Sequence, residues 1–235
     1  NRVLELDTKS NTVTVEPGIN YAKLQQTLHT HGRFLPPYPS SLEYSTIGGA
    51  IANNAAGEKS IKYGDTRSYV RSLRFVLANG EVIETRRLSK KELSKKLGLA
   101  TFEGEIYRSV DTLLEEQRQL LDGTNISVTK NNAGYNLLDI KRKDGSFDLT
   151  PLIVGSQGTL GIVTEAVLST ESHNPHTSLT LATFDSLENL QNAVLELREL
   201  PELPCAMEFI DGNVVQQVHA MNPNQLKDIV TAPFP

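Results

Sequence analysis

The chain has 235 residues, enough for one large domain or for one domain and part of a second, and its 23 basic against 28 acidic residues leave a net charge of -5. With 38% hydrophobic and 22% charged residues it resembles ordinary soluble globular chains, which excludes a disordered or fibrous protein. No global positive field exists to neutralise phosphates, so nucleic acid is not an expected partner. The single cysteine, Cys205, excludes an intrachain disulfide and a multi-cysteine metal site and fits a reducing compartment. Apolar runs such as Pro151 to Val154 are too short to cross a bilayer.

The chain enters on a strand pattern at Asn1 without a signal-type leader, and the expectation is a piece of a longer protein. Arg2 to Asp7 and Thr12 to Glu16, separated by Thr8 to Asn11, predict a β-hairpin closed by Pro17 and Gly18. Asn20 is placed to cap a helix with Tyr21, Leu24 and Leu28 on its apolar face, ended by Gly32 and the Pro36-Pro37 pair. Ser72 to Ala78 and Glu81 to Thr85 flank Asn79-Gly80, which predicts a second hairpin with a type I′ turn.

Residues 86–123 form a charged stretch, expected as a solvated insertion, whose helix carries Ile106, Val110, Leu113, Leu114, Leu120 and Leu121 on one side. Pro151 to Leu168 reads as strand, glycine turn, strand. After a polar joint at Glu171 to His176, a strand at Ser178 to Phe184, a helix with an acidic capping box at Asp185 and Glu188, and a strand at Ala206 to Ile210 predict the beginning of a β-α-β unit, turned at Asp211 to Asn213.

Between Arg33 and Glu58 the only charged side chain is Glu43, and the text is crowded with Gly, Ala, Ser and Asn. If Thr46 caps a helix near Gly48-Gly49, its first-turn amides and dipole could meet an anion such as a pyrophosphate; the competing reading is a tight helix-packing seam. A second glycine text, Gly155 to Thr164, has its glycines at 155, 158 and 161. It is neither a G-x-G-x-x-G fingerprint, nor a P-loop, nor a nucleophile elbow, and would suit a flat ring lying against main chain.

The order Thr46-Ile47-Gly48-Gly49, Asn53-Asn54-Ala55-Ala56-Gly57, Tyr63-Gly64-Asp65, Leu77 to Val82, Lys130 to Leu137 and Gly155 to Gly161 resembles the FAD-linked oxidases of the vanillyl-alcohol oxidase type, in the D-lactate dehydrogenase and glycolate oxidase D-subunit branch. The resemblance implies an α+β fold: a PCMH-type FAD-binding domain over residues 1–170 without its N-terminal β-α-β subunit, then the start of an α/β, ferredoxin-like cap domain over residues 171–235. It implies that Ser41, Thr46, Gly48, Gly49, Asn53, Ala55 and Gly57, with Gly158, Gly161 and Ile162, contact FAD, and that Lys130 is a candidate for steering a substrate carboxylate. Tyr135 is expected to pack in the core rather than line the flavin.

The implied activity is oxidation of a small 2-hydroxy acid by hydride transfer to flavin N5, with the electrons passed to a quinone, cytochrome, electron-transfer protein or oxygen. The implied location is the cytoplasm, with any membrane association through that acceptor. Catalytic residues, a metal site and the pyrophosphate loop are expected outside residues 1–235. The alternatives are a flavin reductase of cell-wall nucleotide-sugar synthesis and a non-catalytic domain that has lost the cofactor. Two departures stand out: Gln157 where the family usually has Glu, and the insertion at 86–123. The five histidines, His29, His31, His173, His176 and His219, form no metal-ligand spacing and are expected as surface imidazoles, and Cys205 as a packed side chain.

Overall fold

The computed structural model describes residues 1–124, 128 and 130–225, and the chain divides into two compact units, Asn1–Asn174 and Pro175–Pro235. The first unit is built on a five-stranded antiparallel sheet in the order β1-β2-β6-β4-β5, made by Val3–Asp7 (β1), Thr12–Val15 (β2), Ile162–Ser169 (β6), Val70–Val76 (β4) and Val82–Arg86 (β5). The expected first hairpin forms. Asp7 fixes its turn by accepting from the amide of Lys9 at 2.8 Å and the hydroxyl of Ser10 at 2.7 Å, while Asn11 takes the left-handed conformation.

Strand β6, distant in sequence from both hairpins, is the centre of the sheet: it pairs Val15 with Ala166 on one side and Leu73 with Ala166 on the other. Its register carries the end of the second glycine turn to the end of β4, where Val76 faces Ile162. Helix α1 (Tyr21–His29) starts as expected, with the Asn20 side chain accepting from Lys23 N, and buries Tyr21, Leu24 and Leu28 on the sheet's core. Leu24 and Leu28 each contribute about 1.5–3 kcal/mol of apolar transfer energy. A short pair, β3 (Arg33–Phe34) with β7 (Glu171–Ser172), ties the end of α1 to the chain leaving β6.

The turn between β4 and β5 differs from expectation. Gly80 has a positive φ but Asn79 does not, and Gly80 N donates to Leu77 O while Leu77 N donates to Glu81 O. A three-residue connection ending in left-handed Gly80 replaces the type I′ pair, because the strands open one residue earlier than the Asn-Gly dipeptide suggests.

The charged insertion is more than a solvated face. Helices α4 (Lys90–Leu97), α5 (Phe102–Glu116) and α6 (Arg118–Gly123) place Leu93, Tyr107 and Leu114 with Leu88, Ile140, Phe147 and Leu149 in a second core. Ser89 and Glu92 close a reciprocal capping box on α4, and the Glu81 carboxylate accepts from Phe102 N and Glu103 N at the start of α5. The helix breaks at Gln117, so Leu113 and Leu120 face solvent rather than sharing the buried stripe.

The run at Pro151 is a one-turn helix, α7 (Thr150–Ile153), not a strand; Pro151 lies in its first turn, where a missing N–H costs nothing. Two further short helices, α2 (Ile47–Asn53) and α3 (Ser60–Tyr63), precede β4.

In the second unit the expected strands at 178–184 and 206–210 do not form. Those segments have no regular structure and no ladder partners among the described residues, and Leu179, Leu181, Phe209 and Ile210 are exposed. Helices α8 (Leu187–Arg198) and α9 (Gly212–Met221) are the regular elements described there, and α9 occupies a segment expected to begin as a turn. Ser186, not Asp185, caps α8 by accepting from Asn189 N at 3.2 Å, while Asp185 accepts from the Asn189 side chain at 2.7 Å. Among the described residues, no helix is long and apolar enough to cross a membrane.

Candidate functional site

The two glycine texts meet. Helix α2 is capped by Thr46, whose hydroxyl accepts from Gly49 N at 3.1 Å, and it ends at Asn54 in the left-handed conformation. Its last carbonyls would be orphans. Two of them are taken by the second turn: Gly155 N donates to Ile51 O and Gln157 N to Ala52 O, each at 2.9 Å. Left-handed φ angles at Gly155, Gln157 and Gly158 let the turn fold back over the helix end.

Between them lies a cleft of about 270 Å³, lined by Gly48, Ile51 and Ala52 of α2, Phe75 of β4, Ile153 of α7, and Ser156, Gly158, Gly161, Ile162 and Val163. No charged side chain is in the lining. Gly161 is fixed by crowding: a Cβ there would lie 2.3 Å from Val76 O and 2.7 Å from the Phe75 ring. At Gly158 a Cβ would meet nothing within 4 Å, so the surface there is open.

Four of the expected site residues, Gly48, Gly158, Gly161 and Ile162, therefore share one cleft. Ser41, Thr46, Gly49 and Asn53 are exposed outside its lining, and Lys130 is exposed at the start of the loop that leads to Tyr135. Ala55 is buried in the main core, and Gly57 is a close-packing residue, since a Cβ there would sit 1.9 Å from Tyr38 O. Ile51, Phe75, Ile153, Ser156 and Val163 complete the lining, with Ala52, without having been expected as contacts; only the β4–β6 register and the α2 contact bring them in.

The anion-binding role expected of the α2 N-terminus is not available. Ile47 N donates to Ile19 O at 3.1 Å, Gly48 N to Pro17 O at 2.6 Å, and Gly49 N to the Thr46 hydroxyl. Every first-turn amide is satisfied within the protein, so the tight-seam reading holds at this end, where a Cβ on Gly48 would come 2.9 Å from Pro17. Among the described residues the amides of Gly158 and Leu160 have no protein acceptor and remain available.

Beside the cleft, Asn54 is fully buried and ties two other segments to the end of α2: its amide donates to Asp65 at 2.6 Å and to Asn132 at 2.9 Å, and its oxygen accepts from Arg67 N at 2.9 Å. The Arg67 guanidinium donates to Val154 O at 3.2 Å. Tyr135 is not a core residue; it is half exposed, with its hydroxyl 2.8 Å from that of Thr159.

The histidines are not all isolated surface imidazoles. His29 and His173 stack with ring centroids 4.0 Å apart, and burial, the facing imidazole and Lys59 hold His29 below the usual histidine range. Among the described residues no group of three or more His, Cys, Asp or Glu side chains is placed to hold a metal ion.

Residues 1–86 match the FAD binding domain family. Over those residues the chain is similar to that family. Its cofactor is FAD. It is 35% identical over 170 residues to the D-2-hydroxyglutarate dehydrogenase of Escherichia coli (strain K12), covering 72% of this chain and 17% of the relative. It is also 35% identical over 181 residues to glycolate oxidase subunit GlcD of Bacillus subtilis (strain 168), covering 77% of this chain and 27% of the relative. A D-lactate dehydrogenase of Anaerostipes hadrus is 30% identical over 168 residues, covering 72% and 24%. The chain thus spans between about a sixth and about a quarter of the length of these relatives. A solved alkyldihydroxyacetonephosphate synthase shares the fold with a TM-score of 0.60 at 23% identity, over 97% of this chain and 32% of that one.

The cleft fits part of this cofactor. It is uncharged, largely apolar and edged by available main-chain donors, as a flat ring needs, but it is smaller than the roughly 300–1,000 Å³ usual for a whole ligand. The residues that would hold the ring are Gly158, Gly161 and Ile162, with Ala52 and Phe75; the α2 amides do not fit the pyrophosphate.

Proposed function

We propose that residues 1–170 are part of the FAD-binding domain of an enzyme that oxidises a small 2-hydroxy acid, and that residues 171–235 begin its cap domain. The observation that carries this reading is the uncharged cleft where the Gly155 to Gly161 turn closes on α2. The names of the relatives supply the substrate class: 2-hydroxyglutarate, glycolate and lactate are all 2-hydroxy acids.

FAD, when bound, supplies the acceptor for a hydride from the substrate α-carbon. The chain's own contribution is placement. Ile51, Ala52, Phe75 and Ile162 give the ring apolar surface and exclude water, and the Gly158 and Leu160 amides offer donors without side-chain bulk. Ser41, Thr46, Gly49, Asn53, Ala55 and Gly57 lie outside the cleft lining, and for Thr46, Ala55 and Gly57 we assign a role in shaping α2 and its flanks. Lys130 is proposed to meet the substrate carboxylate. An electron acceptor then reoxidises the enzyme.

The test is turnover of D-2-hydroxyglutarate, D-lactate and glycolate by the intact protein with an artificial electron acceptor. Oxidation of at least one supports the reading. A flavin-loaded protein that oxidises none of the three overturns the substrate class.

A further inference from the structure

The loop 130–136 touches both walls of the cleft. At one end the Asn132 side-chain amide donates to Asn53 O at 3.1 Å and Asn54 O at 3.3 Å, while its oxygen accepts from the Asn54 amide at 2.9 Å. Asn53 and Asn54 directly follow Ala52, a lining residue. At the other end the Tyr135 hydroxyl meets that of Thr159, next to Gly158, another lining residue. Just before the first tether Asn131 accepts from Ala133 N at 3.0 Å, and between the tethers Gly134 takes a left-handed turn, so the loop has a shape of its own.

We propose that Asn132 and Tyr135 act as a two-point strap joining α2 to the Gly155–Gly161 turn, and that this strap positions the walls around the flavin. Neither residue lines the cleft, so both are positioning residues. The assignment rests on the FAD reading above. Asn132 suits the task because its amide supplies donor and acceptor at once; an ionised Asp could keep the acceptor half but would set its charge against two carbonyl oxygens. Tyr135 is half exposed, so the hydroxyl it contributes can be removed with little effect on the core.

The experiment compares intact wild type with Asn132→Ala, Asn132→Asp, Tyr135→Phe and the Asn132→Ala/Tyr135→Phe double variant. FAD affinity is read by fluorescence quenching, ring environment by visible circular dichroism, and stability by melting without FAD. Each alanine or phenylalanine variant is expected to bind FAD roughly threefold to tenfold more weakly, the scale of one lost hydrogen bond, and to alter the flavin dichroism. The double variant should lose less than the product of the two, since releasing either end frees the same loop. Asn132→Asp should recover affinity as pH falls and its carboxyl regains a proton to donate.

Tyr135→Phe should melt with wild type, and it carries the test if the Asn132 variants do not fold. Single variants that bind FAD with wild-type affinity and dichroism would overturn the strap while leaving the FAD reading intact. A wild-type protein that binds no FAD would overturn that reading, and the strap with it.

Discussion

The backbone N–H of Gln157 donates to the carbonyl of Ala52 at 2.9 Å, sealing the end of α2 with a residue that itself sits at a φ of 57°. A second contact reinforces the seal: the Gln157 side-chain amide reaches the Asn53 oxygen at 3.4 Å, a donation that the Glu usual in the resembling family could not make when ionised. Gln157→Val places a β-branched side chain in left-handed backbone and should cost about 1–2 kcal/mol in denaturant unfolding. Gln157→Asn, which tolerates that conformation, should cost much less. Equal losses would mean that the turn moves away from left-handed geometry freely.

Gly161 and Gly80 make a second comparison. An added Cβ at Gly161 collides with Val76 O and the Phe75 ring, whereas at Gly80, φ 87°, it meets nothing. Gly161→Ala should destabilise by about 1–3 kcal/mol through overpacking and also weaken FAD binding, because Phe75 forms part of the cleft. Gly80→Ala should cost about 1 kcal/mol from backbone strain alone and leave flavin affinity unchanged. Thermal melting and a FAD titration on each variant separate the two effects.

Acid should weaken the first unit through the insertion. The Ser89 amide and hydroxyl and the Arg86 guanidinium hold Glu92 down at about 2, and Ser146 with Arg87 holds Asp144 down at about 2. A carboxylate with a depressed folded-state pKa adds stability that is complete above its unfolded value, near 4, and is lost as pH falls towards 2. Glu92→Gln should therefore show a shallower loss of stability than wild type between about pH 4.5 and 2. Parallel curves would show that the capping box does not report on acid unfolding.

The His29–His173 stack predicts a second pH limb. His29 is held below its ordinary 6.5, so the unfolded chain takes up a proton first, and stability falls as pH drops below about 6.5. His29→Gln should flatten the stability profile between pH 7 and 5, measured by urea unfolding at each pH. A slope equal to wild type would locate the proton uptake elsewhere.

Local signals carried much of the first unit. Asn20 with Tyr21, Leu24 and Leu28 announces α1, and Thr46 announces the start of α2, because caps and 3.6-residue spacing act within a few residues. The run from Pro151 to Val154 is too short to show a period, and Pro151 suits a first helical turn as well as a boundary. Asp185 and Ser186 are adjacent caps, and only the realised geometry chooses Ser186.

The site was legible as two glycine texts but not as an enclosure. What closes the α2 amides is Pro17 and Ile19, far earlier in the chain, and what closes its carbonyls is Gly155 and Gln157, far later. Asn54 is not set apart from Asn53 by its sequence neighbours; its tertiary partners Asp65, Arg67 and Asn132 make it the anchor.

The central claim is that the cleft at Gly158 receives the flavin ring. Gly158 is open, and Asn is the side chain best tolerated at its φ of 75°, so Gly158→Asn adds bulk to the cleft with little strain in the protein itself. The decisive measurement is a FAD titration of the intact wild-type and Gly158→Asn proteins at matched melting temperature. The account predicts a yellow wild-type protein and at least tenfold weaker binding by the variant. A variant that binds FAD as tightly as wild type would contradict it.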